Sequence, residues 1–204
     1  MKKLMLFFLL LFSTPLFPAT QSTAANQLAK LLNNFTTLAA NFSEVTADDS
    51  QRVLQKSKGV MMLMKPNYFR FETEKPTHQI VITDGKVLWV YDVDLKQATR
   101  QEIQNLPINP AKILSGDVNN FLQKFNVQLM PHQNRLVFQL IPKKQSQAFR
   151  SVVLVFRHQE LESMQVTASL GQVSTFNFSH LVMNPRLSRA IFHFSPPTGV
   201  DILK

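Results

Sequence analysis

The sequence predicts a mainly β protein, a single domain built on one antiparallel sheet that is curved or barrel-like. Short runs of strand-forming residues, about eleven in all, follow one another from residue 59 onward at 8–12-residue spacing, and turn signals separate them. No regular alternation of strands with long helices is present, as a parallel sheet would require. The length of 204 residues, without a shift in composition along the chain, fits one domain.

The start of the chain, residues 1–19, has the layout of a secretory signal peptide. Two lysines precede an unbroken apolar run over residues 4–12, and small residues follow at Ala19 and over 23–25. A membrane-spanning helix needs about 20 apolar residues, roughly twice this run. We therefore predict export, with cleavage after Ala19 or as late as residue 25, and a mature domain over residues 26–204.

The first element of the mature chain is predicted to be an amphipathic helix over residues 27–42. Polar residues separate the apolar ones, and neither Gly nor Pro interrupts the segment. The apolar residues that follow helical spacing are Leu28, Leu31, Leu32, Phe35, Leu38, Ala39 and Phe42. Two short helices are also predicted, over residues 111–114 and 118–125, on either side of Gly116.

The remaining elements are predicted strands, and Asp84-Gly85 is a strong hairpin signal between two of them. The predicted strands cover residues 59–64, 68–73, 79–83, 87–92, 96–101, 126–130, 135–141, 150–156, 161–167, 173–181 and 191–194.

Several of these strands are apolar on both faces, for example over residues 87–91 and 152–156. An antiparallel strand with one face in water should alternate apolar and polar residues. Something must therefore cover the second face, and the predicted helices are few for so many strands. Either the sheet rolls up on itself, or one apolar face lines a cavity.

The residue types that carry chemistry are scarce. The absence of cysteine excludes disulfides, thiolate metal sites and cysteine nucleophiles, and five glycines form no phosphate-binding loop. Five histidines are scattered without metal-ligand spacing, and no nucleophile elbow occurs. We predict no enzyme activity, no metal and no cofactor. The net charge of +9 fits either a solvated basic surface or docking to acidic partners or anionic membrane, and nucleic acid is not expected.

A family resemblance is carried by several segments in order along the chain. They are residues 59–71, with Lys65-Pro66-Asn67-Tyr68-Phe69 at their end, then Pro76, residues 83–92 (TDGKVLWVYD), 97–99 (QAT), 138–143 (FQLIPK), 171–172 and 192–200 (FHFSPPTGV). The predicted N-terminal helix from Leu32 to Phe42, followed by Ser43, also fits this family. Together these segments resemble the periplasmic outer-membrane lipoprotein carrier family, LolA.

This resemblance implies an unclosed, strongly curved antiparallel β-barrel with helices that form a lid over its mouth. It implies a monomeric periplasmic chaperone that accepts triacylated lipoproteins from an inner-membrane ABC transporter and delivers them to an outer-membrane receptor. That receptor is itself a lipoprotein with an acylated cysteine. Since this chain has no cysteine, it resembles the carrier.

The resemblance also assigns residues to a site. The lipid-binding cavity is expected to contain Phe69, Phe71, Trp89, Tyr91, Met61 and Leu63, and the lid to pack through Leu32, Phe35 and Phe42. Before the proline at the end of the first strand the family usually has an arginine that hydrogen-bonds to the lid, whereas this chain has Lys65. Lysine lacks the planar fork of arginine, so a weaker latch is expected.

Two other functions stay open from the sequence. One is a periplasmic sensor or adaptor domain of related fold that detects acyl chains and regulates a partner. A regulator of this kind is expected to carry a second domain or an anchor. The sequence, which ends at Lys204, shows neither, and this disfavours the sensor interpretation. The other is an exported lipid-processing hydrolase, which the missing nucleophile motif disfavours.

Overall fold

The computed structural model describes residues 20–102, 110–144 and 149–203, so the predicted signal peptide lies outside the described residues. Its helices are α1 (Thr20–Asn33), α2 (Pro110–Ser115), α3 (Val118–Leu122) and a 3₁₀ helix (Arg189–Phe192). Its strands are β1 (Thr37–Ala47), β2 (Val53–Met64), β3 (Tyr68–Lys75), β4 (Gln79–Asp84), β5 (Val87–Asp92), β6 (Gln97–Glu102), β7 (Phe125–His132), β8 (Arg135–Pro142), β9 (Phe149–Arg157), β10 (Glu160–Ala168), β11 (Val173–Met183) and β12 (Asp201–Leu203).

All of these strands belong to one curved, unclosed sheet of twelve strands, in the order β12-β6-β5-β4-β3-β2-β1-β11-β10-β9-β8-β7. Neighbouring strands are antiparallel except β12, which pairs with β6 in parallel. Two meanders, β2 to β6 and β7 to β11, are joined through β1, which pairs with β2 on one side and β11 on the other. The predicted mainly β, single-sheet fold is confirmed.

The predicted long N-terminal helix is wrong in its second half. Helix α1 begins at Thr20 and ends at Asn33, and residues 37–47 form strand β1. In β1 the buried side chains Leu38, Ala40 and Phe42 recur with a period of two. Leu38 and Phe42 also follow Leu31 and Phe35 at helical spacing. The sequence of this segment therefore fits both the helical period of 3.6 residues and the strand period of two.

The C-terminal end differs from the prediction as well. No strand forms over residues 191–194, because residues 191–192 end the 3₁₀ helix and residues 193–194 follow it outside any helix or strand. Ser188 caps the start of this helix, and its side chain accepts a hydrogen bond from the Ala190 backbone N–H. The short strand β12 follows it and was not predicted. Strand β2 begins at Val53, six residues before the predicted start at residue 59. The other predicted strands and both short helices are present within about three residues of their expected bounds.

The main core lies between the helices and one face of the sheet, here called the inner face. Apolar residues of α1, α2 and α3 form a single buried cluster with alternate residues of β1, β2, β3 and β7 to β10. Helix α1 packs on β7 and α3, and α2 packs on β2 and β3. Leu28 and Leu32 of α1 are fully buried, as are Phe138 of β8 and Leu154 of β9. The sheet therefore wraps around its helices, which cover the second apolar face that the sequence required.

The opposite face, here called the outer face, carries a smaller apolar cluster under the C-terminal segment. Ile80, Ile82, Tyr91 and Ala98 are buried there, and Phe194 packs against them. No helix within the described ranges is long and apolar enough to cross a membrane.

Candidate lipid-binding site

The centre of the inner face is a cluster of aromatic rings contributed by three strands. The rings of Phe42 and Phe71 stack with their centroids 3.9 Å apart, and Phe69 stacks on Phe71 at 5.9 Å. Phe176 of β11 meets the ring of Phe71 edge-on at 5.7 Å. Met61 lies opposite Phe71 in the β2–β3 pairing. Stacked and edge-on rings at these separations form an apolar surface with no hydrogen-bonding demand of its own.

Four of the six predicted cavity residues lie together on this face. Phe69 pairs with Leu63 and Phe71 pairs with Met61, so alternation along β2 and β3 directs all four side chains inward. Met61, Leu63 and Phe69 are buried in the main cluster, and Phe71 packs against it while partly exposed.

Trp89 and Tyr91 do not share this face, which corrects their predicted grouping with Phe69. Residues that lie across from each other in paired strands point to the same face of the sheet. Phe71 of β3 lies across from Val81 of β4, and Val81 lies across from Val90 of β5, so Val90 is the residue of β5 that points inward. Trp89 and Tyr91 are the neighbours of Val90 along β5, and successive side chains of a strand point to opposite faces. Trp89 and Tyr91 therefore point to the outer face. There both rings pack on Phe194, with centroids 5.5 and 5.2 Å from it.

The ring stack depends on a glycine in the middle of β2. Gly59 lies opposite Phe42 in the β1–β2 pairing and opposite Thr73 in the β2–β3 pairing. A Cβ atom at Gly59 would lie 1.9 Å from the Glu72 carbonyl oxygen and 2.9 Å from the Phe42 ring. Only glycine allows the backbone and the Phe42 ring to approach this closely.

The inner face is covered by apolar side chains of the three helices. Leu28 and Leu32 of α1, Ile113 of α2, and Phe121 of α3 belong to the same buried cluster as the ring stack. Of the predicted lid residues, Leu32 lies on α1 and Phe35 lies in the segment that follows it, and both are buried.

Phe42 is the exception among the predicted lid residues, because it belongs to the sheet itself. The prediction placed Phe42 on the N-terminal helix, but residues 37–47 form strand β1, which pairs with β2 and β11. The sequence analysis also missed Phe176 and Phe178, which pack on the main cluster from β11. Phe176 and Phe178 are two residues apart in a predicted strand, and this spacing indicates that both side chains point to the same face of the sheet.

Lys65, the predicted latch, joins the end of β2 to the end of α1. Its Nζ donates a hydrogen bond to the Leu32 carbonyl oxygen, in the last helical turn, and lies 4.2 Å from the centre of the Phe35 ring. Carbonyls at a helix C-terminus lack intrahelical partners and attract positive charge. Lys65 thus caps α1 with its ammonium group, which also lies over the Phe35 ring.

Burial lowers the pKa of Lys65 from 10.5 to about 8. The Phe35 ring favours the charged form, but loss of hydration has the larger effect. The unfolded chain therefore binds this proton more tightly than the folded chain does, so stability should rise as the pH rises from about 8 to about 10.5.

We expect this pH dependence to disappear in a Lys65→Met variant. Urea unfolding of both proteins at several pH values between about 8 and about 10 measures it, because the two proteins differ at residue 65 alone. The free energy of unfolding of the unmodified protein should rise relative to that of the variant. A difference between the two that is independent of pH would contradict the assignment.

A second concave feature is a polar pocket of about 280 Å³ beside the β9–β10 hairpin, lined in part by Arg157, His158, Glu160 and His180. Glu162 accepts hydrogen bonds there from Arg135 and from Arg157, at 2.6 and 2.7 Å, and these bonds hold its pKa below the ordinary value. Leu161, Phe178 and Leu181 also line this pocket. An acyl chain bound there would nevertheless have to desolvate its charged groups, so the pocket does not suit an apolar ligand.

A sequence profile of the family described as "Outer membrane lipoprotein carrier protein LolA" matches residues 33–195 of the chain. The chain belongs to the LolA family. Among proteins called outer-membrane lipoprotein carrier protein, that of Coxiella burnetii is 44% identical over 196 residues, covering 95% of this chain and 93% of that protein. That of Pseudomonas aeruginosa is 36% identical over 187 residues, with coverages of 91% and 90%. That of Legionella pneumophila is 34% identical over 205 residues, with both chains fully covered.

Solved structures share the fold of this LolA family member. A LolA superfamily protein from Nitrosomonas europaea superposes with a TM-score of 0.50 at 14% identity, covering 86% of this chain and 98% of that one. An uncharacterized conserved protein from Thermus thermophilus gives a TM-score of 0.53 at 13% identity, with coverages of 88% and 98%. At these identities the likeness concerns the fold alone.

Proposed function

We propose that this protein is a periplasmic lipoprotein carrier that holds the acyl chains of its cargo on the inner face of the sheet. One observation supports this site above all, namely the ring cluster of Phe42, Phe69, Phe71 and Phe176 on a curved sheet whose cover consists of separate helices. Relatives of nearly the same length are called outer-membrane lipoprotein carrier proteins.

The helices make acyl binding reversible. Each buried methylene contributes about 0.8 kcal/mol, so burial of even half of three long chains would exceed reversible affinities. In this structure side chains such as Leu28, Leu32 and Ile113 already occupy the inner face. Cargo must displace these contacts, and the loss of helix packing offsets much of the gain from acyl burial.

The route of the cargo follows from the same proposal. A lipoprotein released by an inner-membrane ABC transporter would enter the inner face of a monomeric carrier and then pass to an outer-membrane receptor. The protein would work in the periplasm after removal of residues 1–19. Ala24 on α1 is buried in the core, which favours cleavage after Ala19 over a cut that would remove the first turns of α1.

The carrier function can be tested with spheroplasts that are synthesising an outer-membrane lipoprotein. Purified protein over residues 20–204 is added outside, and the medium is analysed for a soluble one-to-one complex with the lipoprotein. We expect release into the medium, and none with an unrelated basic protein of similar size. Lipoprotein that stays on the membrane while the added protein is folded would contradict the proposal.

Lys65→Arg should strengthen closure of α1 against the sheet. A guanidinium can donate several hydrogen bonds to the carbonyls at the end of α1, whereas an ammonium acts as a point charge. We expect amide hydrogen exchange in α1 to slow roughly three- to tenfold, equivalent to one added hydrogen bond. Exchange in β9 serves as the internal control, and unchanged protection of α1 would contradict the role of residue 65 as a latch.

The sensor or adaptor alternative is not favoured. The relatives with the carrier name match over nearly the whole chain.

A further inference from the structure

The inner face changes from apolar to polar along strand β1. Leu38, Ala40 and Phe42 are buried, and the next two inward positions are Glu44 and Thr46. Strand β2 changes at the same level, since Glu44 lies opposite Ser57. Strand β11 changes one inward position later, since Phe176 lies opposite Glu44 and Ser174 lies opposite Thr46. Glu44, Thr46, Ser57 and Ser174 are here called the polar end of the inner face.

The polar end is connected by hydrogen bonds. The Ser57 hydroxyl donates to Glu44 Oε2 at 2.7 Å, and the Thr46 hydroxyl donates to Glu44 Oε1 at 3.3 Å. Thr46 Oγ1 also lies 2.7 Å from Ser174 Oγ. Ser57 is only 6% exposed, and Glu44 is partly buried.

The carboxylate of Glu44 has no ion-pair partner among those Lys, Arg and His residues whose side chains the structure describes, a set that leaves out Lys112. Two hydroxyl donors leave part of its acceptor capacity free, because a carboxylate has about four acceptor positions. A partly buried carboxylate is best complemented by a cationic N–H donor.

Glu44 is also next to the ring cluster. Phe176 lies directly opposite Glu44 in the β1–β11 pairing, and Phe42 is two residues earlier on the same face of β1. Inward positions two residues apart on a strand are about 7 Å apart. A molecule with apolar chains among the rings would therefore bring its polar head to Glu44.

We propose that Glu44, supported by Ser57 and Thr46, binds a primary ammonium group that adjoins the acyl chains of the cargo. The inference rests on the proposed carrier function and adds the orientation of the bound cargo. Its acyl chains would point towards the helices, and its polar head would point towards the β1–β2 hairpin. Since the third acyl chain of a triacylated residue occupies its α-amino group, the ammonium would be that of a lysine side chain that follows the lipidated residue closely in the cargo sequence.

The first test uses simple amphiphiles below their micelle concentration. Isothermal titration calorimetry compares dodecylammonium with dodecyl sulfate, and Glu44→Gln with the unmodified protein. Since the chain carries a net charge of +9, nonspecific attraction favours the sulfate. We expect Glu44→Gln to weaken dodecylammonium binding about tenfold, which is the range for loss of a hydrogen bond to a charged group. Binding of dodecyl sulfate should not become weaker.

The matched control is Glu74→Gln, which removes the same charge from an exposed position on β3. It should leave both affinities unchanged. Glutamine at position 44 keeps an acceptor oxygen for the Ser57 hydroxyl, so the variant should stay folded, and circular dichroism checks this. Equal dodecylammonium affinities in Glu44→Gln and the unmodified protein would overturn the inference and leave the carrier function standing. Failure of both amphiphiles to bind the unmodified protein would overturn acyl binding as well.

A second experiment identifies the source of the ammonium. One triacylated lipopeptide has lysine directly after the lipidated residue, and a second, otherwise identical, has glutamine at that position. Weaker binding of the lysine lipopeptide to Glu44→Gln, with unchanged binding of the glutamine lipopeptide, supports the inference and identifies the lysine ammonium as the group that Glu44 holds. Unchanged binding of both would overturn it.

Discussion

A Gly59→Ala substitution is expected to lower the free energy of unfolding by about 3 kcal/mol or more, the upper end of overpacking effects. The added methyl would lie 1.9 Å from the Glu72 carbonyl oxygen, which belongs to the β3 backbone. A flexible side chain could move aside, but a paired strand cannot. Relief of the clash would separate β2 from β3 and break the stack of Phe42 on Phe71.

Urea unfolding measures this effect, and Gly199→Ala is the matched control. No atom lies within 4 Å of a Cβ at Gly199, although its φ of 83° strains any other residue. The control should therefore lose only about 1 kcal/mol. A Gly59→Ala protein as stable as the control would show that the close approach of β2 and β3 is not required.

The Phe71→Glu substitution is expected to reduce lipoprotein release from spheroplasts roughly tenfold or more, because acyl chains would have to pack on a carboxylate. Phe71 contacts Phe42, Phe69 and Phe176 and is partly exposed, so it borders the surface that the chains must share. Partial exposure lets the carboxylate keep some hydration, so the variant should fold.

Two further variants separate loss of the apolar surface from general damage. Phe71→Leu keeps the site apolar and should still release lipoprotein. Val182→Glu adds the same charge at a 52% exposed position of β11 and should release it normally. Normal release by a folded Phe71→Glu protein would contradict the assignment of the ring cluster as the acyl site.

The strands were largely predictable from the sequence, but their orientation was not. Residues 87–91 are apolar at every position, so alternation does not say which side chains point inward. Pairing with β4 and contact with Phe194 decide this, and they place Trp89 and Tyr91 on the outer face. Phe194 is far along the chain, and no local pattern reports its contact.

The boundary between α1 and β1 shows a second limit. Apolar residues over 28–42 fit a period of 3.6, and those over 38–42 also fit a period of two. Tertiary pairing with β2 and β11 decides between them. The polar end of the inner face was equally inaccessible, because Glu44, Ser57 and Ser174 meet only through the β2–β1–β11 pairing.

The central claim is that cargo chains occupy the inner face of the sheet and not the outer one. The most direct measurement places a photoreactive phenylalanine analogue at position 71 or at position 89 and loads the protein with a lipoprotein that carries radiolabelled acyl chains. Irradiation should label the protein with acyl chains from position 71 and not from position 89. Labelling from position 89 alone, with both proteins loaded equally, would contradict the account.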